Sequence, residues 1–265
     1  MVSSERPPAA GRPFSVLLLA VLLLGCYPAT KAPMDIVQYG SGQGAGTRLL
    51  IVYLPGNGDR ITVLEREGLL AGLRAHGVNA DVVAADAHLG YYIDGTIFTR
   101  IREDVIAPAR AKGYVQIWLV GNSLGGYGAI SYLRLHPEDI TGVVLLGPFL
   151  GERSVINGIK QAGGLLQWDP GAVEQTTKDG WEKMLWLHLR DCLKAREQGR
   201  GDEGRQGCFS RTYLGYGRDD RFTYGQDYLA TLLPSEHVAA IEGGHDWSTW
   251  YKLWDRFLDQ RIFGQ

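Results

Sequence analysis

The chain has 265 residues, 45% hydrophobic and 21% charged, with a formal net charge of −2. That is enough for one sizeable core in one domain, with room for an insertion. No basic tract or stripe occurs, which excludes the electrostatic footprint of a nucleic-acid binder; the arginines between Arg196 and Arg211 are mixed with Asp202 and Glu203 and read as a solvated loop.

Residues 1–25 read as a leader rather than part of the fold. Arg6 and Arg12 make a weakly basic start, opposed only by Glu5. "FSVLLLAVLLLG" follows, an apolar run of signal-peptide length and short for a membrane span. It ends in "LLGC", with Cys26 directly after Gly25. This resembles the lipobox of bacterial lipoproteins, in which the cysteine is lipidated and becomes the mature N-terminus. A plain secretory signal and an uncleaved anchor helix are the competing readings. Several acyl chains on one cysteine hold a protein stably on a membrane where one chain does not. Tyr27, rather than Asp, follows the cysteine, and by the same resemblance this favours an outer-membrane lipoprotein facing the periplasm.

Residues 26–47 read as a Pro/Gly/Ser-rich tether with one short apolar patch at Ile36-Val37, a possible edge strand. "RLLIVYLPG" (48–56) predicts a buried strand ending in a turn. A helix is expected over 62–76, stopped at Gly77, and a strand over 78–86. Residues 94–112 carry a helical apolar face, with Pro108 set to kink or end it. "YVQIWLV" (114–120) predicts a strand, 124–135 a helix and "GVVLLGPFLG" (142–151) a strand. Residues 152–209 break the rhythm and read as an insertion with one Trp-rich helix at 179–197. Further strands are expected within 210–220 and 236–246, and a closing amphipathic helix over 247–262. Strand and helix alternate, so the fold class is α/β, a mostly parallel sheet covered on both faces.

Two cysteines remain after Cys26. In an exported chain, Cys192 and Cys208 invite a disulfide closing a polar, Gly-rich loop, worth roughly 3 kcal/mol by loop entropy. Two free thiols are the alternative. No Cys/His spacing of a metal site occurs.

Gly121-Asn122-Ser123-Leu124-Gly125 fits G-x-S-x-G between an expected strand and an expected helix. A sharp turn there pushes the serine side chain outward, and the glycines leave room for neighbouring backbone. The helix that follows aims its N–H groups at the reacting centre, with the N–H of Leu124 first. A Gly-rich turn with an incidental serine is the competing reading.

With the elbow GNSLGG, the turn PGNG, GRDDR and GGHDW, residues 48–262 resemble the α/β-hydrolase family. The resemblance implies a serine hydrolase with a helical lid at about 152–209 and a triad in the order Ser, acid, His. Ser123 would be the nucleophile and His245 the base. The acid would be Asp220, by the pattern G-x-x-D-R, with Asp219 as the alternative. Asp246 reads as an N-cap. His76, His88, His136, His188 and His237 read as surface or capping residues. The PGNG turn resembles H-G-x-G with Pro55 in place of histidine, and maps the second oxyanion donor to the N–H of Asn57. No metal or organic cofactor is implied. The implied partner is a small-molecule or lipid-like acyl substrate, with a membrane reached through Cys26. Carboxylesterase is the default activity; lipase, thioesterase, peptidase, acyltransferase and a non-catalytic binding module remain alternatives.

Overall fold

The computed structural model describes residues 27–40, 48–174, 177–200 and 207–264. Seven strands form one sheet in the order β1-β3-β2-β4-β5-β6-β7. They are β1 (Ile36–Tyr39), β2 (Leu49–Leu54), β3 (Asp81–Ala85), β4 (Gln116–Asn122), β5 (Gly142–Leu146), β6 (Thr212–Gly217) and β7 (Val238–Ile241). Every pairing is parallel except β1 with β3, where Ile36 lies opposite Ala85 and Tyr39 opposite Val82. The patch at Ile36-Val37 is therefore an edge strand, and residues 27–40, expected as a tether, lie against the body.

The central strands are apolar throughout because both faces are covered. Side chains alternate between two cores. Leu50, Val52 and Leu54 of β2, Ile117 and Leu119 of β4, and Val143 and Leu145 of β5 enter one. Leu49, Ile51 and Tyr53, Trp118 and Val120, and Val144 and Leu146 enter the other. The second core is closed by α1 (Val63–Arg66), α2 (Leu69–Ala75) and α10 (Trp247–Asp259). The first is closed by α3 (Leu89–Ile93), α4 (Ile97–Arg100), α5 (Ala107–Ala111), α6 (Leu124–Leu135), α7 (Arg153–Gln161), α8 (Lys178–Glu197) and α9 (Thr223–Ala230).

Three local differences from the sequence expectations have physical causes. The helix expected over 62–76 is two short pieces, because Gly68 sits at φ 80° between them. Pro108 does not end its helix. It occupies the first turn of α5, and Ile101–Ile106 just before it is π-helical, so the wider turn absorbs the lost N–H. The insertion carries α7 as well as α8. Val155, Ile156 and Ile159 of α7 are buried at i, i+1 and i+4, a short stripe easily missed among polar neighbours. Cys192 and Cys208 are disulfide-bonded, with Cα atoms 6.2 Å apart. Cys26 and the leader lie outside the described residues.

Candidate active site

β4 ends at Asn122 and α6 begins at Leu124, so Ser123 alone makes the turn, at φ 50° and ψ −114°. This is a strained conformation for a non-glycine residue. Backbone approach explains the flanking glycines. A Cβ on Gly121 would lie 2.2 Å from the carbonyl oxygen of Gly125, and one on Gly125 only 1.9 Å from that of Leu54. The turn is tied down on both sides: the Ser123 N–H donates to Leu146 O (3.1 Å), and the Phe149 N–H to Ser123 O (3.0 Å).

Three separate loops meet at this serine. His245 Nε2 lies 2.9 Å from Ser123 Oγ, and its Nδ1 lies 2.7 Å from Asp220 Oδ2. An ionised carboxylate only accepts, so Nδ1 carries the hydrogen and Nε2 is left to accept from the serine hydroxyl. Asp220 is 3% exposed, and its other oxygen accepts from the Phe222 N–H (2.8 Å). The imidazole is held edge-on between Phe222 and Trp250, each 4.9 Å away between ring centroids. The acid loop and the histidine loop are zipped together by backbone: Arg218 N–H to Ile241 O (2.8 Å) and Asp219 N–H to Gly243 O (3.0 Å). Asp219 itself is exposed, and Asp246 caps α10 by accepting from the Thr249 N–H at 3.1 Å.

The other histidines lie elsewhere. His76 faces Asp255 and Asp259 on α10, and His88 caps α3. His136 follows α6, and His237 stacks on Tyr213 at 4.1 Å. His188 lies 3.4 Å and 3.5 Å from the two disulfide sulfurs, and burial, with Arg134 adding to it, pushes its pKa down to about 4.

Leu124 is the first residue of α6, and its N–H is among those with no intrahelical acceptor. The turn after β2 is less simple than a two-glycine bend. The Gly56 N–H donates to Asn122 Oδ1 (2.9 Å), which leaves the exposed Asn57 next on the turn. A Cβ on Gly56 would sit 3.3 Å from Ser123 Cβ, so this loop presses directly against the elbow.

Behind the elbow is a polar cluster that the sequence motifs do not reveal. Asn122, fully buried, also accepts from the Tyr53 hydroxyl (2.5 Å) and donates through Nδ2 to Asp59 Oδ2 (2.9 Å). Asp59 Oδ1 in turn accepts from the Trp247 indole at 3.2 Å. Asp59 therefore links the turn after β2, the elbow and the start of α10, two residues beyond His245. The only sequence signal is its place directly after PGNG.

An apolar cavity of about 430 Å³ adjoins the elbow, lined by Leu124, Tyr92, Tyr127, Phe149 and Trp181 among others. A second, of about 370 Å³, shares Tyr92, Ile93, Tyr127 and Trp181 with it. The first size falls in the range of small-molecule sites.

This architecture is the α/β-hydrolase fold, with a serine at the elbow between β4 and α6. A family model described as serine aminopeptidase, S33, matches residues 94–178, the stretch that holds the elbow. Among solved structures, a ferulic acid esterase is similar at 16% identity and a TM-score of 0.55, over 81% of this chain and 84% of that one. S-formylglutathione hydrolase from Staphylococcus aureus is similar at 14% identity and 0.52, over 80% of each chain. Est1E from Butyrivibrio proteoclasticus is similar at 12% and 0.51, over 86% of this chain and 92% of that one. At such identities the likeness speaks for the fold. No curated protein matches the sequence.

Proposed function

We propose that the protein is a serine esterase that works through an acyl-enzyme on Ser123. The observation that carries this is the continuous hydrogen-bonded line from Ser123 Oγ through His245 to Asp220. Ser123 Oγ attacks the ester carbonyl carbon, and its proton passes to His245 Nε2. Asp220 holds the imidazole in the accepting tautomer and stabilises the imidazolium. The N–H groups of Leu124 and Asn57 receive the oxyanion, each donor worth roughly 3 kcal/mol in the transition state. The bond to the alcohol oxygen breaks, and Nε2 returns the proton to that oxygen. Water then attacks the acyl-serine by the same route, releasing the acid and restoring the hydroxyl.

A carboxylesterase is the reading for this site, because the cavity beside Leu124 is apolar and offers an acyl chain few polar partners. The chain is further proposed to be exported and lipid-anchored at Cys26, on the strength of the apolar run ending in LLGC. A fluorophosphonate probe tests the first reading. Native protein labels at Ser123 and hydrolyses 4-nitrophenyl acetate, whereas Ser123→Ala does neither, a loss on the order of 10⁶-fold in kcat. A well-folded native protein that neither labels nor turns over overturns it. Metabolic labelling with a palmitate analogue, lost in Cys26→Ser, tests the anchor.

A further inference from the structure

The chain directly after Cys26 is docked beside the cavity at the elbow. The Lys31 N–H donates to the Tyr91 hydroxyl (3.0 Å), and that hydroxyl lies 3.3 Å from Lys31 O. Thr30 Oγ1 donates to Asp94 Oδ2 (2.8 Å), and the Met34 N–H to Asp104 Oδ2 (2.8 Å). Pro28 O approaches so closely that a Cβ on Gly90 would lie 2.9 Å from it. This strap brings Tyr27 to the wall of the 430 Å³ cavity, across from Leu124, Phe149 and Trp181.

The cavity's rim is unusual for a soluble surface. Among the described residues, the two most exposed large apolar side chains are Tyr27 (53%) and Ile93 (52%), and both line this cavity. Leu135, also exposed, lines the adjoining one. Exposed apolar side chains gathered at a cavity mouth mark a surface that meets something apolar. The strap supplies the geometry. A free tether over 26–47 would have an end-to-end reach of about 25 Å and would leave the body free to turn. In sequence, Cys26 directly precedes the docked Tyr27. An acyl anchor on Cys26 would therefore be attached at the residue next to the cavity mouth.

We propose that the rim of Tyr27 and Ile93 is the face on which this protein meets a lipid surface, and that its substrate is a membrane-resident acyl ester whose chain enters the cavity beside Leu124. This rests on the esterase reading and on anchorage at Cys26. The attraction is apolar, so it persists in salt that screens charges.

The experiment uses full-length lipidated protein in phosphatidylcholine vesicles carrying 4-methylumbelliferyl oleate. Soluble 4-nitrophenyl acetate and fluorophosphonate labelling are read in parallel. Ile93→Glu puts a charge on the rim without disturbing the core, as a thermal melt verifies. Val115→Glu is the control, since Val115 is also exposed but precedes β4, at the end of the sheet away from Ser123. A third variant inserts a long Gly/Ser spacer between Cys26 and Tyr27. Ile93→Glu is expected to slow the vesicle ester at least about tenfold. The spacer slows it severalfold, and Val115→Glu leaves it within twofold; neither of these two changes acetate turnover. If Ile93→Glu matches Val115→Glu on the vesicle ester, with labelling and acetate turnover intact, the membrane-facing rim is overturned and the hydrolase stands. If native protein neither labels nor cleaves acetate, the hydrolase reading falls, and the rim proposal with it.

Discussion

The elbow and the insertion meet beside Leu124, yet they are held by different physics. At the elbow the constraint is backbone against backbone. Gly121, Gly125 and Leu54 approach so closely that no side chain fits, and Ser123 is left in a conformation only a crowded turn maintains. In the insertion the constraint is side-chain packing. Leu185, Trp186 and Leu189 of α8 are buried in the core, and the Trp186 indole donates to Leu150 O at 2.7 Å. Trp181, one turn earlier and only partly buried, faces the cavity. A rigid turn suits the bond-making atoms, which tolerate little displacement. A packed helix suits the wall of a pocket, where one apolar residue can replace another at modest cost. Chemistry and selectivity should therefore respond separately to mutation.

The largest effect expected in breaking that separation comes from the acid. Asp220→Asn should lower kcat on 4-nitrophenyl acetate by about 10⁴-fold, because the imidazole is then held in the wrong tautomer. The melting temperature should move little by comparison, and stopped assays at high enzyme concentration measure the residual rate. If Asp219→Asn shows that loss instead, the assignment of the acid is wrong. Next comes Asp59→Ala, which unties the turn after β2 and Trp247 from the elbow at once. A loss of about 10²-fold in kcat is expected, with KM for the acetate ester nearly constant, as misplacement of reacting groups predicts. A loss confined to stability, with kcat unchanged in the folded protein, would make Asp59 merely structural.

Smaller again is Trp181→Ala, on the insertion side. Turnover of long-chain aryl esters should fall about tenfold while acetate turnover holds within a factor of two, so the chain-length profile shifts toward short acids. Equal losses on all chain lengths would place Trp181 in the chemistry and erase the contrast.

The smallest effect on activity is expected at His188, beside the disulfide, where pH should alter stability. Its pKa is pushed down to about 4 in the folded chain, by burial first and Arg134 second, against about 6.5 unfolded. Between those values the unfolded chain holds the extra proton. Stability therefore falls as pH drops from about 6.5 to about 4, by at most about 3 kcal/mol, and levels off below. Urea titrations across that window should show a shallower slope in His188→Gln. An unchanged slope would mean His188 titrates normally.

Of the residues proposed to carry the chemistry, Ser123 was legible because its constraint is local. G-x-S-x-G between a strand and a helix has a steric reason that spans five residues, and Ser123 sits where that reason puts it. His245 and Asp220 were legible through the resemblance to the α/β-hydrolase family, which puts the acid and the histidine in loops a few residues past β6 and β7, at the strand ends a parallel α/β fold uses for ligands. Asn122, Tyr53 and Asp59 were not legible. Their hydrogen bonds join positions 63 to 69 residues apart, and no periodicity encodes such a meeting. The Asn57 turn was half legible: its glycines marked a bend, but not that the Gly56 N–H is taken by Asn122. Gly68 was not read as a break, and of the two outcomes expected at Pro108, a kink or an end, the helix end did not occur there. A glycine at positive φ split a helix whose apolar spacing was continuous, and a π turn carried a helix through a proline.

By itself, then, the sequence determined the α/β alternation and the strained serine, since both depend on short-range sterics and on apolar runs of strand length, while the order of the serine's proposed partners came from the resemblance to a known family. Only the tertiary structure decided which polar groups brace the elbow, how the Trp-rich insertion walls a cavity, and where the chain after Cys26 lies. That last point depends on hydrogen bonds from residues 30–34 to Tyr91, Asp94 and Asp104, contacts about sixty to seventy residues distant in sequence. A Pro- and Gly-rich segment carries no periodic pattern to announce its docking site; the surface it meets makes that choice.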